Sequence, residues 1–222
     1  IDDKSFEALQ ALINGAVDSL VLTKDYYGNG QEITITNTIS IDGGGHTIDA
    51  KGLSRIFNIQ ADDVVLKNFN FINGFSDEDG GAIYWSGSNG LINSSTFVNS
   101  TANNSGAIYI SVNADNGLIK SVSFINNTGA VSGGAIRNQR GNNWKIEDSI
   151  FINNSAHGET NIIDAGGGAI WSCNSVMDIM NSIFKDNNAP FGGALRGSFY
   201  ISDSEFDSNT ATDGNGGAID VA

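Results

Sequence analysis

The sequence predicts an all-β chain wound as a parallel β-solenoid, with an α-helical cap at its N-terminus. Three observations predict it. Two short motifs recur six times each and alternate along the chain. The spacing inside each repeat fits neither a single flat strand nor a helix. The composition is rich in glycine, poor in proline and weakly charged.

The first motif is Gly-Gly-Ala-Ile or a close variant. It stands at Gly80–Ile83, Ser105–Ile108, Gly133–Ile136, Gly167–Ile170, Gly192–Leu195 and Gly216–Ile219. The second centres on Phe71, Phe97, Phe124, Phe151, Phe184 and Phe206. An aliphatic residue lies five positions before each: Leu66, Ile92, Ile119, Ile146, Ile179 and Ile201. A small polar residue lies three before it: Asn68, Ser94, Ser121, Asp148, Asn181 and Asp203. Side chains alternate along a strand, so an odd offset cannot keep the aliphatic residue and the Phe on one face. A corner must lie between them. Successive copies are roughly 22 to 34 residues apart. Coils of that length, stacked at the ~4.8 Å strand spacing, make a parallel solenoid in which equivalent residues stack. Asn127, Asn154, Asn187 and Asn209 follow their Phe by three and are expected to form a hydrogen-bonded ladder. Gly-Gly before Ala-Ile suits the tightest corner, where a positive φ is needed.

The elements follow in order. Ser5–Asn14 places Phe6, Leu9, Leu12 and Ile13 on one helical face, and we expect this helix to close the open end of the solenoid. Strand-like runs follow at 19–23, 32–36, 38–41, 47–49, 55–59 and 64–71, punctuated by Gly28-Asn29-Gly30 and Gly43-Gly44-Gly45. We therefore expect one domain over 1–222: a cap over 1–16, less regular first coils over 17–70 and regular coils over 71–222. The chain opens on Ile1 and closes inside a strand-like run, Ile219–Ala222, so we expect a segment of a longer protein.

Composition excludes several function classes. Glycine makes up 28 of 222 residues and proline one, which fits neither a collagen-like nor a disordered chain. The net charge is −14, and the 11 Lys and Arg are scattered. Nucleic-acid binding and adhesion to anionic lipid both need clustered cations, so neither partner is expected. No apolar run reaches the ~18 residues of a membrane span, so no insertion by this chain is expected. Cys173 is the one cysteine, so there is no internal disulfide, and it reads as a small buried or half-buried residue.

The alternation of Gly-Gly-Ala-Ile with Phe-x-x-Asn resembles the repeats of chlamydial polymorphic outer-membrane proteins. The stretch Ile41-Asp42-Gly43-Gly44-Gly45-His46-Thr47-Ile48-Asp49-Ala50-Lys51-Gly52, with Arg55-Ile56-Phe57-Asn58-Ile59 and Leu66-Lys67-Asn68, resembles adhesin-like proteins of methanogenic archaea. The likeness covers nearly the whole chain. It implies a right-handed parallel β-helix of the pectate-lyase-like kind on an exported, cell-surface protein that adheres to other cells or surfaces. It implies no catalytic set.

Candidate contact residues come from strand alternation. If the Ile of each Gly-Gly-Ala-Ile points inward, the next residue points outward. That column is Tyr84, Tyr109, Arg137, Trp171, Arg196 and Asp220. The preceding column is Ala82, Ala107, Ala135, Ala169, Ala194 and Ala218, read as the outward floor of a shallow groove. Tyr, Trp and Arg supply most contact energy at interfaces, and aromatic faces suit sugar rings. The column could equally cover the sheet or lie under a loop. Two longer loops, 74–79 and 157–166, are expected to overhang the same side. Asp77, Asp79, Asp164 and, elsewhere, Asp213 are oxygen donors that can hold Ca²⁺, although turn chemistry accounts for each as well. No other cofactor is expected.

The function expected is adhesion, with surface glycans or proteins of other cells as partners. The alternatives are a polysaccharide lyase or glycoside hydrolase, and a passive stalk. A hydrolase needs two suitably spaced carboxylates. Asp148 and Asp203 share their column with Ser94, Ser121 and Asn181, which reads as corner hydrogen bonding. His46 among glycines and His157 in a loop read as structural or solvated, so no enzyme is expected. Asn-x-Ser/Thr sequons stand at Asn93, Asn99, Asn103, Asn126 and Asn153 and could carry glycans in an exported chain.

Overall fold

A computed structural model describes residues 2–159 and 164–221. The chain forms a parallel β-solenoid of about seven turns with one N-terminal helix. A representative turn runs through four short strands, Leu91–Asn93, Thr96–Val98, Thr101–Asn104 and Ile108–Ile110. Each pairs in parallel with its equivalent one coil before and one coil after. In the last coils the fourth strand runs straight on into the first strand of the next turn, as Ile170–Met180 and Leu195–Ser202. That continuity joins the first and fourth columns into one 14-stranded sheet, beside sheets of eight and six strands.

Register stacks like on like. Phe71, Phe97, Phe124, Phe151, Phe184 and Phe206 form one interior column, with ring centroids 4.7 to 5.0 Å apart. Each buried Phe contributes roughly 1.5–3 kcal/mol through burial, and each ring pair a further ~0.5–1.5 kcal/mol. The column continues into the first coils, where Ile48 pairs with Phe71 and Tyr26 with Ile48.

The corners explain the polar positions. Asn68, Ser94, Ser121, Asp148, Asn181 and Asp203 all adopt φ between 48° and 57°. Here the chain turns between the aliphatic strand and the Phe strand. A second left-handed corner follows each Phe by two, at Asn73, Asn99, Asn126, Asn153, Asp186 and Ser208. Asn and Asp tolerate this region best among non-glycine residues. Just inside that corner the expected ladder is present. Asn127 Nδ2 donates to Asn154 Oδ1, Asn154 Nδ2 to Asn187 Oδ1, and Asn187 Nδ2 to Asn209 Oδ1, at 2.9 to 3.0 Å. Each Nδ2 also donates to the backbone carbonyl of a Phe, so the buried amides are satisfied.

The first residue of each Gly-Gly-Ala-Ile has a positive φ, from 55° at Ser105 to 72° at Gly216. The second glycine is required by contact: a Cβ at Gly134 would overlap the Gly168 carbonyl of the next coil.

The helix Phe6–Gly15 is capped by Ser5, whose side chain accepts from the Ala8 N–H at 3.2 Å. It lies against the first strands, as expected. Four expectations are corrected. Leu12 is 45 % exposed, because Phe6, Leu9 and Ile13 alone fill the seam. The run 64–71 is two strands, Val65–Lys67 and Asn70–Ile72, split by the corner at Asn68, and Tyr26–Tyr27 is a further strand that its length of two concealed. Segment 74–79 is no loop: Phe75–Asp79 begins the third sheet and pairs with Thr101–Asn104. The alanines are not an outward floor. Ala82, Ala107, Ala135, Ala169 and Ala194 are fully buried. The reason is a corner inside the motif: Ala82 N–H and Ile83 N–H both donate to the Ala107 carbonyl, so both side chains turn inward.

Candidate functional site

The residue after each motif Ile does form one outward column. Asn58, Tyr84, Tyr109, Arg137, Trp171, Arg196 and Asp220 are in continuous register. The column is far less open than a bare ridge. Arg137 and Trp171 are each only 5 % exposed.

The side chains consume one another's faces. Tyr84 and Tyr109 stack with centroids 5.4 Å apart and planes at 12°. The Arg55 guanidinium lies over the Tyr84 ring at 5.5 Å, and that of Arg137 over Trp171 at 4.2 Å. Stacking along the solenoid axis turns ring edges outward, so the flat platforms expected for sugar rings are occupied by neighbouring residues.

The cover comes from the third sheet. Arg137 Nη1 donates to Asn104 Oδ1 at 2.8 Å and to Ser132 Oγ at 2.5 Å. Its Nε and Nη2 donate to Gln139, and Nη2 also meets Asp164 at 3.1 Å. Burial pushes the Tyr109 phenol up to about 12, and the nearby Asp79 adds to the effect. Tyr84 Oη shares a hydrogen bond with Ser111 at 3.0 Å. Arg55 pairs with Glu32 and donates to the Asp79 and Gly80 carbonyls.

At the C-terminal end the described residues leave an opening. A cleft of about 170 Å³ opens there, lined by Asp164, Trp171, Ser172, Cys173, Asn174, Arg196 and Gly197. Arg196 lies over Phe191 at 4.6 Å, donates to the Ala165 carbonyl, and holds its Nε 3.3 Å from Asp220 without an aligned hydrogen bond. Cys173 is half-buried beside the exposed Asn174, whose amide donates to Sγ at 3.1 Å. The fold thus brings Trp171 and Arg196 to one opening and leaves Tyr84 and Tyr109 at the far end of the column. Sequence reasoning missed Asn174 and the cover residues Asn104 and Ser132. The offset that found the column could have found the cover: Asn104 and Ser132 both sit at the end of the strand before a Gly-Gly-Ala-Ile motif.

The oxygen-donor candidates do not converge. Asp77 is exposed on the strand Phe75–Asp79, and Asp79 accepts from Asn104 at 2.9 Å. Asp164 pairs with Arg137, and Asp213 accepts from Thr212 at 3.0 Å. Among the described residues no three His, Cys, Asp or Glu are placed to hold a metal ion. Residues 160–163 of the loop 157–166 lie outside the described residues. Asp148 accepts from Asn181 at 2.7 Å and meets Lys120 at 3.5 Å, which holds its carboxyl below the ordinary range. The sequons at Asn99, Asn126 and Asn153 fall on the second left-handed corner, where Asn126 and Asn153 each donate Nδ2 to the Asn one coil before.

The family model of the Chlamydia polymorphic membrane protein repeat matches residues 121–139, 148–173 and 203–222. Each matched segment opens on a left-handed corner residue, Ser121, Asp148 or Asp203, and runs through the following Gly-Gly-Ala-Ile. These segments are similar to that repeat over less than a third of the chain. No curated protein and no solved structure matches. No helix among the described residues is long and apolar enough to cross a membrane.

Proposed function

We propose that this chain is the β-solenoid part of a cell-surface adhesin, whose ligand is a glycan or glycoprotein on another cell or surface. The observation that carries the reading is the outer column. The interior Phe column keeps one residue type through six coils. The column from Tyr84 to Arg196 changes from coil to coil, gathers the bulkiest polar-aromatic side chains and ends in a cleft. Three segments similar to a Chlamydia membrane-protein repeat support a surface location. The contact points under this reading are the cleft at Trp171 and Arg196 and the outward edges of Tyr84 and Tyr109, with Arg137 bracing the column from beneath.

The alternative of a glycoside hydrolase is less well supported. A general acid needs a raised carboxyl pKa, and that of Asp148 is lowered by its Asn181 and Lys120 partners. The test is retention of whole-cell surface extracts and polysaccharides on the immobilised chain, with product sizes scored in the same samples. Retention of intact ligand, lost in Asn174→Lys, supports the adhesin. Shortened products overturn it in favour of an enzyme, and neither outcome leaves the passive stalk.

A further inference from the structure

The cleft at Trp171 and Arg196 is small, and the one cation that lines it, Arg196, faces Asp220. We propose that it takes one uncharged sugar unit at the end of a glycan and turns away chains ending in a sialic or uronic acid. The proposal rests on the adhesin reading above and narrows its ligand.

Size sets the first limit. Sites for drug-sized ligands span about 300–1,000 Å³. A cleft of about 170 Å³ has room for a single ring, not for several linked ones lying along the column. Arg137 covers Trp171 on one side, and Arg196 follows it in register on the other.

Charge sets the second. A site for an acidic sugar presents a guanidinium free to take a carboxylate in bidentate fashion. The guanidiniums of this column and of Arg55 beside it each face a carboxylate, although Arg196 Nε makes no aligned hydrogen bond. Arg55 pairs with Glu32, Arg137 with Asp164 at 3.1 Å, and Arg196 faces Asp220 at 3.3 Å. The Asp164 side chain remains 45 % exposed at the mouth of the cleft, so an entering anion meets a negative charge first. What remains is suited to hydroxyl groups. Asp164 accepts, and the exposed Asn174 amide both donates and accepts.

The experiment measures binding of the full chain to immobilised glycans that end in a neutral hexose, an N-acetylhexosamine, a sialic acid or a uronic acid. It is run at 50 and 500 mM NaCl, with free monosaccharides as competitors. Neutral termini should bind, free neutral sugar should compete, and salt should change affinity less than about twofold. Asn174→Lys should weaken binding at least tenfold. Asp164→Asn should raise binding of acidic termini at least fivefold, because it removes the exposed negative charge from the cleft lining; thermal melting confirms that both variants fold. Preference for acidic termini in the parent chain overturns the charge argument and leaves the adhesin reading standing. Binding that salt abolishes points to a cationic ligand on an acidic surface and overturns the proposal too. Intact cells that bind while no glycan does would overturn the sugar ligand; cells that also fail to bind would overturn the adhesin reading itself.

Discussion

The side-chain amide of Gln10 takes the place of a missing strand on Thr34. Gln10 Nε2 donates to the Thr34 carbonyl at 2.9 Å, and Gln10 Oε1 accepts the Thr34 N–H at 2.7 Å. Thr34 lies on the first strand of the fourth column, which has a neighbour on one side only. An open edge of this kind is a template for pairing with another chain. Gln10 therefore fixes the cap to the solenoid and also blocks the edge. Gln10→Glu removes the donor and sets a carboxylate against the Thr34 carbonyl. We expect a loss of about 1–3 kcal/mol by urea titration. We also expect concentration-dependent association by light scattering, and a monomeric variant of unchanged stability would contradict this role.

Asn154 is a fully used rung of the inner ladder. Its Oδ1 accepts from both the backbone N–H and the Nδ2 of Asn127, while its Nδ2 donates to the Phe124 carbonyl and to Asn187 Oδ1. Asn154→Ala strands several buried groups at once, and each costs about 1–3 kcal/mol. The total expected is about 4 kcal/mol. Asn209 ends the ladder and is only half-buried, so Asn209→Ala should cost less than half as much. Equal costs by denaturant titration would show that the ladder does not act through burial.

These two positions show what the sequence makes legible. The ladder was readable because stacking forces one residue type onto one place in every coil, and Asn127, Asn154, Asn187 and Asn209 keep a fixed distance from Phe. The column of Tyr84, Tyr109, Arg137, Trp171 and Arg196 was readable for the same reason, by counting one residue past each motif. Its cover was not. Phe75–Asp79 carries three consecutive acidic residues and lacks apolar alternation, so it reads as a loop, yet backbone pairing with Thr101–Asn104 makes it a strand. The alanines were misread because alternation fails at a corner, and nothing in Gly-Gly-Ala-Ile says whether the bend precedes or follows Ala.

Ser105 stands where the other five repeats have glycine. It holds φ at 55°, and its buried hydroxyl has no hydrogen-bond partner. A non-glycine residue in the left-handed region costs roughly 1–2 kcal/mol, and an unsatisfied buried hydroxyl about 1–3 kcal/mol. The extra chain entropy of glycine offsets roughly 0.5–1 kcal/mol. Ser105→Gly should therefore stabilise the fold by roughly 1–4 kcal/mol, seen as a higher urea midpoint at an unchanged slope. Gly133→Ser should move the midpoint the other way. A destabilised Ser105→Gly would mean that the hydroxyl makes a contact worth more than the strain.

Acid should weaken the first coils. The Asp25 carboxyl is held below its ordinary value by the Thr47 N–H and then by His46, and that of Asp42 by the Asn68 amide, the Gly44 N–H and Lys67. A pKa lower in the folded state stabilises the fold above the unfolded value and loses that contribution as pH falls through the folded one. The ordinary value is 3.8, so the loss belongs below about pH 4. Relief of repulsion in a chain of net charge −14 acts in the opposite sense, which makes comparison with a variant necessary. In Asp42→Asn the fall in urea midpoint between pH 4 and pH 2.5 should be shallower than in the parent chain. Parallel curves would remove Asp42 as a cause.

Arg137 separates bracing from ligand contact. Its guanidinium stacks on Trp171, and its N–H groups reach Asn104, Ser132, Gln139 and Asp164. Lysine keeps the charge but not the planar fork, so Arg137→Lys should cost about 1–2 kcal/mol. Arg137→Ala also leaves Asp164 without its partner, and the cost should rise to about 3 kcal/mol, the low end for a buried pair because Asp164 is half open to water. If Arg137 acts only from beneath, ligand retention per folded molecule should be unchanged in the lysine variant and reduced in the alanine variant, where Trp171 loses its support. Retention lost in the lysine variant, with melting temperature preserved, would instead place the guanidinium itself against the ligand.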